Sequence, residues 1–202
     1  MQLSLNPWVT IPDESTEEET PDVHVPPAAV IRAPLKGMVE PDTADRLASR
    51  TVSGTAALWV VGSHGGAGES RTAELLDGAR PTGHCWPVLQ HGAKPRVLLV
   101  CRTDIRGLTT AQSALTQWAS GAAPAVELLG LAVLADAPGK TPKALRDFTA
   151  IVGGGAPRLW TLPWVEAWRH GDATTTPSAR EYQRFITDVS ALAAEINPRT
   201  NH

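Results

Sequence analysis

Residues 59–76 read WVVGSHGGAGESRTAELL, and this stretch decides how the rest of the chain is interpreted. An apolar run leads through Gly65, Gly66 and Gly68 into a helix-forming pattern. Glycines between a strand and a helix let backbone N–H groups face an anion at the helix N-terminus. Such phosphate-binding loops also carry a lysine and a hydroxyl residue that hold the terminal phosphates and Mg²⁺. Here Ser70 occupies the hydroxyl position, but Glu69 occupies the lysine position.

The charge of Glu69 argues against tight binding of a triphosphate. Like charges ~4 Å apart at an effective dielectric of about 20 repel by on the order of 4 kcal/mol, and ~1.4 kcal/mol already changes affinity tenfold. A second cation could compensate, but Arg71 is expected to point away from the loop. The alternative is that the glycines form only a tight strand-to-helix turn. The candidate nucleotide site comprises Ser63, His64, Gly65, Gly66, Ala67, Gly68, Glu69, Ser70 and Arg71.

Apolar runs alternate with helical patterns along the rest of the chain, which is typical of a parallel sheet with helices on both faces. Strands are predicted at 56–61, 96–102, 126–135 and 157–163, with a further edge strand at 84–89. Helices are predicted at 70–79, 104–121, 141–152 and 178–196. The predicted fold is an open, doubly wound, mostly parallel α/β sheet of four to five strands. In such sheets ligands bind at the carboxyl ends of the strands.

The N-terminal part of the chain has a different composition. Residues 1–31 contain six acidic residues and no Lys or Arg, within a chain of 202 residues with net charge −3. Residues 1–55 are therefore predicted to form an acidic, Pro-rich arm that is extended or mostly disordered, and residues 56–197 the α/β domain. Within the arm, Trp8 and Val9 are apolar enough to dock on another surface.

The bulk composition also excludes several classes of protein. The net charge and scattered Lys and Arg make direct nucleic-acid binding unlikely as the main function. No secretory signal is recognised and no apolar stretch is long enough to cross a bilayer, so a cytoplasmic location is expected. Two cysteines and six histidines show no metal-ligand spacing, and no metal site is predicted.

Two further groups of residues are candidates for function. Asp104 and Arg106 follow a predicted strand and could approach the loop, although a helix N-cap is the favoured role of Asp104. Trp8, Trp164 and Trp168 are candidates for a partner surface, because exposed tryptophans are enriched at binding hot spots. Core packing of Trp164 and Trp168 is the alternative.

HGGAGES (64–70) resembles the deviant Walker A loop KGGxGK[ST] of the ParA/MinD ATPases. In this resemblance His64 stands at the signature lysine and Glu69 at the loop lysine. RVLLVCRTDIRGLTTAQSAL, VELLGLAVLADAPG and LWTLPWVEAWRHGD resemble their later strands and the segments that follow them. The chain is most similar to an actinobacterial family of short ParA/MinD-like proteins whose members carry NPWV, GxHGGAGxS and PWVEAWRxG and accompany conjugation genes and mobile elements.

This resemblance implies a P-loop fold and a homodimer, or a larger conjugation or partition ATPase, as partner. The family pattern also requires an acid-bearing strand and a DxxG switch, and neither is found between Val88 and Arg96 or in GHCWPV. Hydrolysis depends on positioned charges, so no catalytic residue is assigned. No cofactor is expected beyond residual ATP and Mg²⁺ at the loop. The predicted function is a catalytically degenerate accessory subunit, and the alternative is a weakly active ATPase with an atypical loop.

Overall fold

The computed structural model of the protein describes residues 33–90, 94–171 and 177–194. The prediction for the arm before residue 33, including Trp8, lies outside these residues. In chain order the structure forms β1 (Ala48–Val52), β2 (Leu58–Gly62), α1 (Glu69–Glu74), β3 (Ala79–Pro81), β4 (Cys85–Leu89), β5 (Arg96–Arg102), α2 (Ile105–Ser120), β6 (Glu127–Leu134), α3 (Lys143–Gly153), β7 (Leu159–Leu162), α4 (Glu166–Arg169) and α5 (Arg180–Ala194), after a short 3-10 turn at Thr43–Asp45.

The main sheet has five strands in the order β3-β2-β5-β6-β7, and every neighbouring pair is parallel. This confirms the predicted α/β class and mostly parallel sheet. β2, β5 and β6 are buried almost throughout, as expected of central strands covered on both faces. β5 has the predicted bounds, and the other strands predicted for this sheet begin and end within two residues of their predicted limits.

One hydrophobic core lies on each face of the main sheet. In the first core, Leu108 and Trp118 of α2 and Val152 of α3 pack against one face of the central strands. That face includes Leu99 of β5 and Val133 of β6. In the second core, α1 and α5, the latter through Tyr182 and Phe185, pack against the opposite face of the central strands. That face includes Val60, Leu98 and Ala132. Two-sided burial explains why the strands appear in the sequence as unbroken apolar runs.

A second, two-stranded sheet lies outside the main one and differs from the sequence prediction. β4 was expected at the edge of the main sheet, but it pairs in parallel with β1 instead. β1 lies within the residues assigned to the arm, so the packed body extends N-terminal of residue 56. The segment lacks the apolar alternation of a strand because four of its five residues are exposed.

Buried polar contacts fix this small sheet to α2. The indole of Trp86 is fully buried and donates from Nε1 to Oε1 of Gln117 at 2.9 Å. The Gln117 amide also accepts from the backbone N–H of Leu47 at 3.0 Å and donates to its carbonyl at 3.1 Å. A buried amide that uses both its donor and its acceptor is stabilising, whereas an unpaired one would be costly.

α1 is shorter than the sequence predicts, and β3 was not predicted. The helix predicted over 70–79 ends at Glu74, and the edge strand β3 begins five residues later. Gly78 makes this short connection with φ of +68°, and its carbonyl accepts from the N–H of Ala57 at 3.0 Å. Three residues ending in proline give no strand signal of their own. No helix in the described residues is long and apolar enough to cross a membrane.

Candidate functional site: the glycine loop and the adjoining strand ends

The glycine loop leaves β2 at the carboxyl edge of the main sheet. The N–H of Ser63 still bonds the carbonyl of Val100 on β5 at 2.9 Å, and its buried hydroxyl lies 3.1 Å from that of Thr110 on α2. Gly68, the N-cap residue of α1, has φ of +94°. A Cβ at Gly68 would also lie 2.7 Å from the Leu134 side chain. Both observations require glycine at this position.

The loop keeps the backbone character of an anion cradle. Among the described residues, no acceptor is found for the backbone N–H groups of Gly65, Gly66, Gly68 and Ser70. Gly65, Gly66 and the side chain of Ser70 are exposed. Unpaired N–H groups clustered beside a helix start are a feature of such cradles. The loop therefore presents free backbone donors of the kind that bind anions.

Glu69 is buried, with 6% of its surface exposed, and its carboxylate is fully engaged. It lies against residues 82–84, which connect β3 to β4. Its Oε1 accepts from the backbone N–H groups of Thr82 and Gly83, both at 2.6 Å, and its Oε2 accepts from that of His84 at 3.2 Å. The Thr82 hydroxyl adds a further bond at 3.2 Å. Charge-assisted bonds of this kind are among the strongest in proteins, so they fix the carboxylate where it lies.

His84 completes the environment of this carboxylate. Its Nδ1 lies 3.0 Å from Oε2 of Glu69, and because a carboxylate only accepts, Nδ1 is the donor. His84 has φ of +58°, which is uncommon for a residue other than glycine. A Cβ at Gly62 would lie 2.8 Å from this Nδ1, and one at Gly65 would lie 4.0 Å from Nε2. The imidazole therefore lies across the base of the loop.

His64 folds against the protein rather than away from it. Its Nδ1 lies 2.8 Å from the carbonyl of Gly65. Its Nε2 is buried without a hydrogen-bond partner in the described part of the chain. A Cβ at Gly107 would lie 3.0 Å from this Nε2, so the ring packs on the first turn of α2. The position that resembles the signature lysine is therefore occupied by a side chain packed on a neighbouring helix.

The cation beside the loop is one that the sequence analysis did not select. Arg71 points away from the loop as expected, with its guanidinium 2.6 Å from Glu74 and 5.6 Å from the Trp168 ring centroid. Arg102, at the end of β5, donates from Nε to the carbonyl of Gly66 at 3.3 Å and from Nη1 to that of Ala135 at 2.9 Å. The feature of the sequence that could have identified Arg102 is its position at the carboxyl end of a predicted strand, where ligands bind in such sheets.

The other polar candidates have structural roles. Asp104 caps α2, where its side chain accepts from the N–H of Gly107 at 2.8 Å; this is the favoured sequence prediction. Burial, with a smaller effect from the nearby Asp104 charge, raises the pKa of the Cys101 thiol to about 12, so this thiol stays protonated and unreactive. The described residues contain no group of three or more His, Cys, Asp or Glu side chains that could hold a metal ion.

A cavity of about 530 Å³ lies between β6, β7 and α3. Like the glycine loop it lies at the carboxyl ends of the strands, but on the far side of the sheet from β2. Its largely apolar wall includes Val133, Ala135, Thr149, Leu159, Leu162 and Trp164. Clefts of this size and character are typical of binding sites. The Nε1 of half-buried Trp164 donates to Glu166 at 2.6 Å. Trp168 instead packs edge-on against Tyr182 with ring centroids 5.5 Å apart, at the border of the second core.

Comparison with known proteins gives one family. The sequence profile of a family of unknown function, DUF6668, matches residues 56–184, from the strand before the glycine loop into α5. The chain belongs to this family. Neither the curated proteins nor the solved structures contain a match.

Proposed function

We propose that this protein is a non-hydrolysing, P-loop-like binding protein that serves as an accessory subunit. The observation that carries the proposal is the state of Glu69. Its carboxylate, at the position where a P-loop has its phosphate-binding lysine, is buried and bonded to three consecutive backbone N–H groups of residues 82–84. The side chain acts as a tie between α1 and the β3–β4 connection.

Release of this tie to admit a triphosphate would be unfavourable. Hydrogen bonds to a charged group contribute about 1.5–3 kcal/mol each, and Glu69 would lose several of them at once. The remaining parts of a phosphoryl-transfer site are also missing, since the sequence has no Asp or Glu between Asp77 and Asp104. Transfer depends on positioned charges and Mg²⁺ ligands, so we expect no useful turnover.

The loop face has features that suit a protein partner. Ile105, at the start of α2, is 63% exposed at the same edge of the sheet as the loop. The nearby loop residues Gly65 and Gly66 are exposed as well. The partners suggested by the ParA/MinD resemblance are a larger ATPase of a conjugation or partition system and a second copy of the chain meeting this one across the loop face.

Titration calorimetry with MgATP, combined with a turnover assay on the full chain, tests the proposal. We expect no saturable binding below ~1 mM nucleotide and no hydrolysis above the buffer rate. Glu69→Gln is the informative variant, because it removes the charge and keeps an acceptor for the 82–84 N–H groups. Glu69→Lys would leave those groups without an acceptor and place an ammonium group beside the Nδ1 of His84. Glu74→Gln, an exposed carboxylate on the same helix, is the matched control.

The second candidate, a weak nucleotide-binding protein, is favoured by the position of Arg102 beside Gly66. Under that reading the wild type binds MgATP saturably, and both Arg102→Ala and Ser70→Ala weaken binding at least about tenfold. This pattern, or turnover that Ser70→Ala abolishes, would overturn the proposal. Binding by the wild type that neither variant changes would also contradict it, because it would place a nucleotide elsewhere on the chain.

A further inference from the structure

β7 forms one edge of the main sheet, and its outer backbone groups are unpaired in the described residues. The N–H of Leu131 on β6 bonds the carbonyl of Arg158, and that of Ala135 bonds the carbonyl of Leu162, each at 2.8 Å. In a parallel ladder such bonds use alternate residues of each strand. The backbone groups of Leu159 and Thr161 therefore point outward, away from β6. An unpaired edge of this kind is a template for an added strand.

The edge is also apolar and adjoins the cavity. Leu159 is 38% exposed, and it packs beside Gly153 at the end of α3, where a Cβ would lie 2.5 Å from its side chain. The side chains of Leu159 and Thr161 line the cavity that Trp164 also borders. In strand addition the main-chain bonds provide affinity, and a pocket for alternate side chains provides specificity. Both elements are present along β7.

The occupant of this edge can be argued from charge and chain length. Exposed cations lie near β7: Arg158 precedes the strand, and Arg146 lines the adjoining cavity, where Glu181 is also present. The first 31 residues of the chain carry six acids and no Lys or Arg. The 23 residues from 10 to 32 can span up to about 75 Å when extended, enough for residues 3–9 to reach β7 of the same molecule.

We propose that residues 3–9, LSLNPWV, add to β7 of their own molecule as an extended strand, with Trp8 in the cavity. Pro7 lacks an N–H, so its side of the segment faces away from β7. In an antiparallel register the backbone groups of Trp8 and Asn6 then bond those of Leu159 and Thr161, respectively. Directly opposed residues of such a pair share a face of the sheet, so the indole of Trp8 faces the same side as Leu159. This inference does not depend on the proposed function.

Residue-resolved amide hydrogen exchange on the full chain tests this docking. We expect the Leu159 and Thr161 amides to be protected in the wild type and to exchange at least about tenfold faster in Trp8→Ala, because their strand partner is lost. The Trp160 and Leu162 amides point to β6, so they should stay protected in both proteins. Ile11→Ala, an apolar truncation in the same arm outside the docked segment, is the matched control and should change neither pair.

The outcomes separate this occupant from others. Unprotected Leu159 and Thr161 amides in the wild type would overturn the proposal, as would protection that Trp8→Ala leaves unchanged. Protection that grows with protein concentration, together with a dimer by light scattering that Trp8→Ala dissociates, would assign the edge to a second copy and contradict docking within one molecule. Protection independent of concentration in a monomer supports it.

Discussion

The carboxyl ends of β2 and β7 lie at the same edge of one sheet, but they differ in how their polar groups are satisfied. At β2 the buried carboxylate of Glu69 is bonded to residues 82–84 on the neighbouring connection. At β7 the outer backbone groups of Leu159 and Thr161 have no partner in the described residues, and a cavity of about 530 Å³ adjoins them. The loop that resembles a phosphate site thus has its acidic side chain bonded to the protein itself, whereas the far strand presents unpaired backbone groups beside a cavity.

The comparison predicts its largest effect at Glu69. Glu69→Ala should lower the free energy of unfolding by about 3–5 kcal/mol, because it removes a buried carboxylate and leaves the N–H and hydroxyl of buried Thr82 and the part-buried N–H groups of residues 83 and 84 without an acceptor. Glu69→Gln should cost about 1–2 kcal/mol, since one amide oxygen replaces part of the acceptor capacity. Urea unfolding followed by far-UV circular dichroism measures both.

Glu74→Ala is the control for these losses. Its exposed pair with Arg71 should contribute no more than about 0.5 kcal/mol. If Glu69→Ala unfolded with the same free energy as Glu74→Ala, the carboxylate would not be a tie, and the contrast between the two strand ends would fail.

Arg102 connects the two regions, because it donates both to Gly66 in the loop and to Ala135 at the end of β6. Arg102→Ala should lower the free energy of unfolding by about 1–3 kcal/mol through the loss of two charge-assisted bonds. Arg102→Lys should recover only part of this, since an ammonium group lacks the planar fork of donors. Full recovery by lysine would show that charge alone, rather than the two bonds, matters here.

The smallest effect is expected at Trp164, which lines the cavity and is half-buried. Trp164→Ala should change the free energy of unfolding by about 1 kcal/mol, well below the ~3–5 kcal/mol typical of a tryptophan removed from a core. Trp86→Ala, at a fully buried indole, supplies the larger reference value in the same urea titration. If both variants lost the same free energy of unfolding, Trp164 would be as important to the core as Trp86, and the prediction would be wrong.

Local sequence patterns predicted the central strands, because a strand buried on both faces is apolar at nearly every position and forms one continuous apolar run. β5 shows this best: five apolar residues lie between Arg96 and Arg102, and both ends were predicted correctly. β1 and β3 were missed because neither has a pattern of its own. β1 is mostly exposed and is held next to β4 and α2 by partners distant in sequence, among them Gln117 on α2, which bonds the adjacent Leu47.

The position of the glycine loop in the fold was predicted, but the contacts of Glu69 were not. The loop lies between β2 and α1 as expected, and Asp104 caps α2. The sequence analysis expected Glu69 to lie near bound phosphates, because its partners at residues 82–84 belong to a connection whose path was unknown. Arg102 was passed over because an arginine that ends an apolar run is normally solvated, and only the packing of β5 beside β2 brings it to Gly66.

The sequence by itself determined the parallel α/β class, the glycine loop at the first strand end and the absence of acids between Asp77 and Asp104. These properties depend on residue type and on periods of two to four residues, which short windows contain. Only the tertiary structure decided that the Glu69 carboxylate is satisfied by residues 82–84 and that β7 is an open edge beside a cavity. Hydrogen bonding and burial depend on segments that meet through strand order, and strand order is not encoded in any one of them.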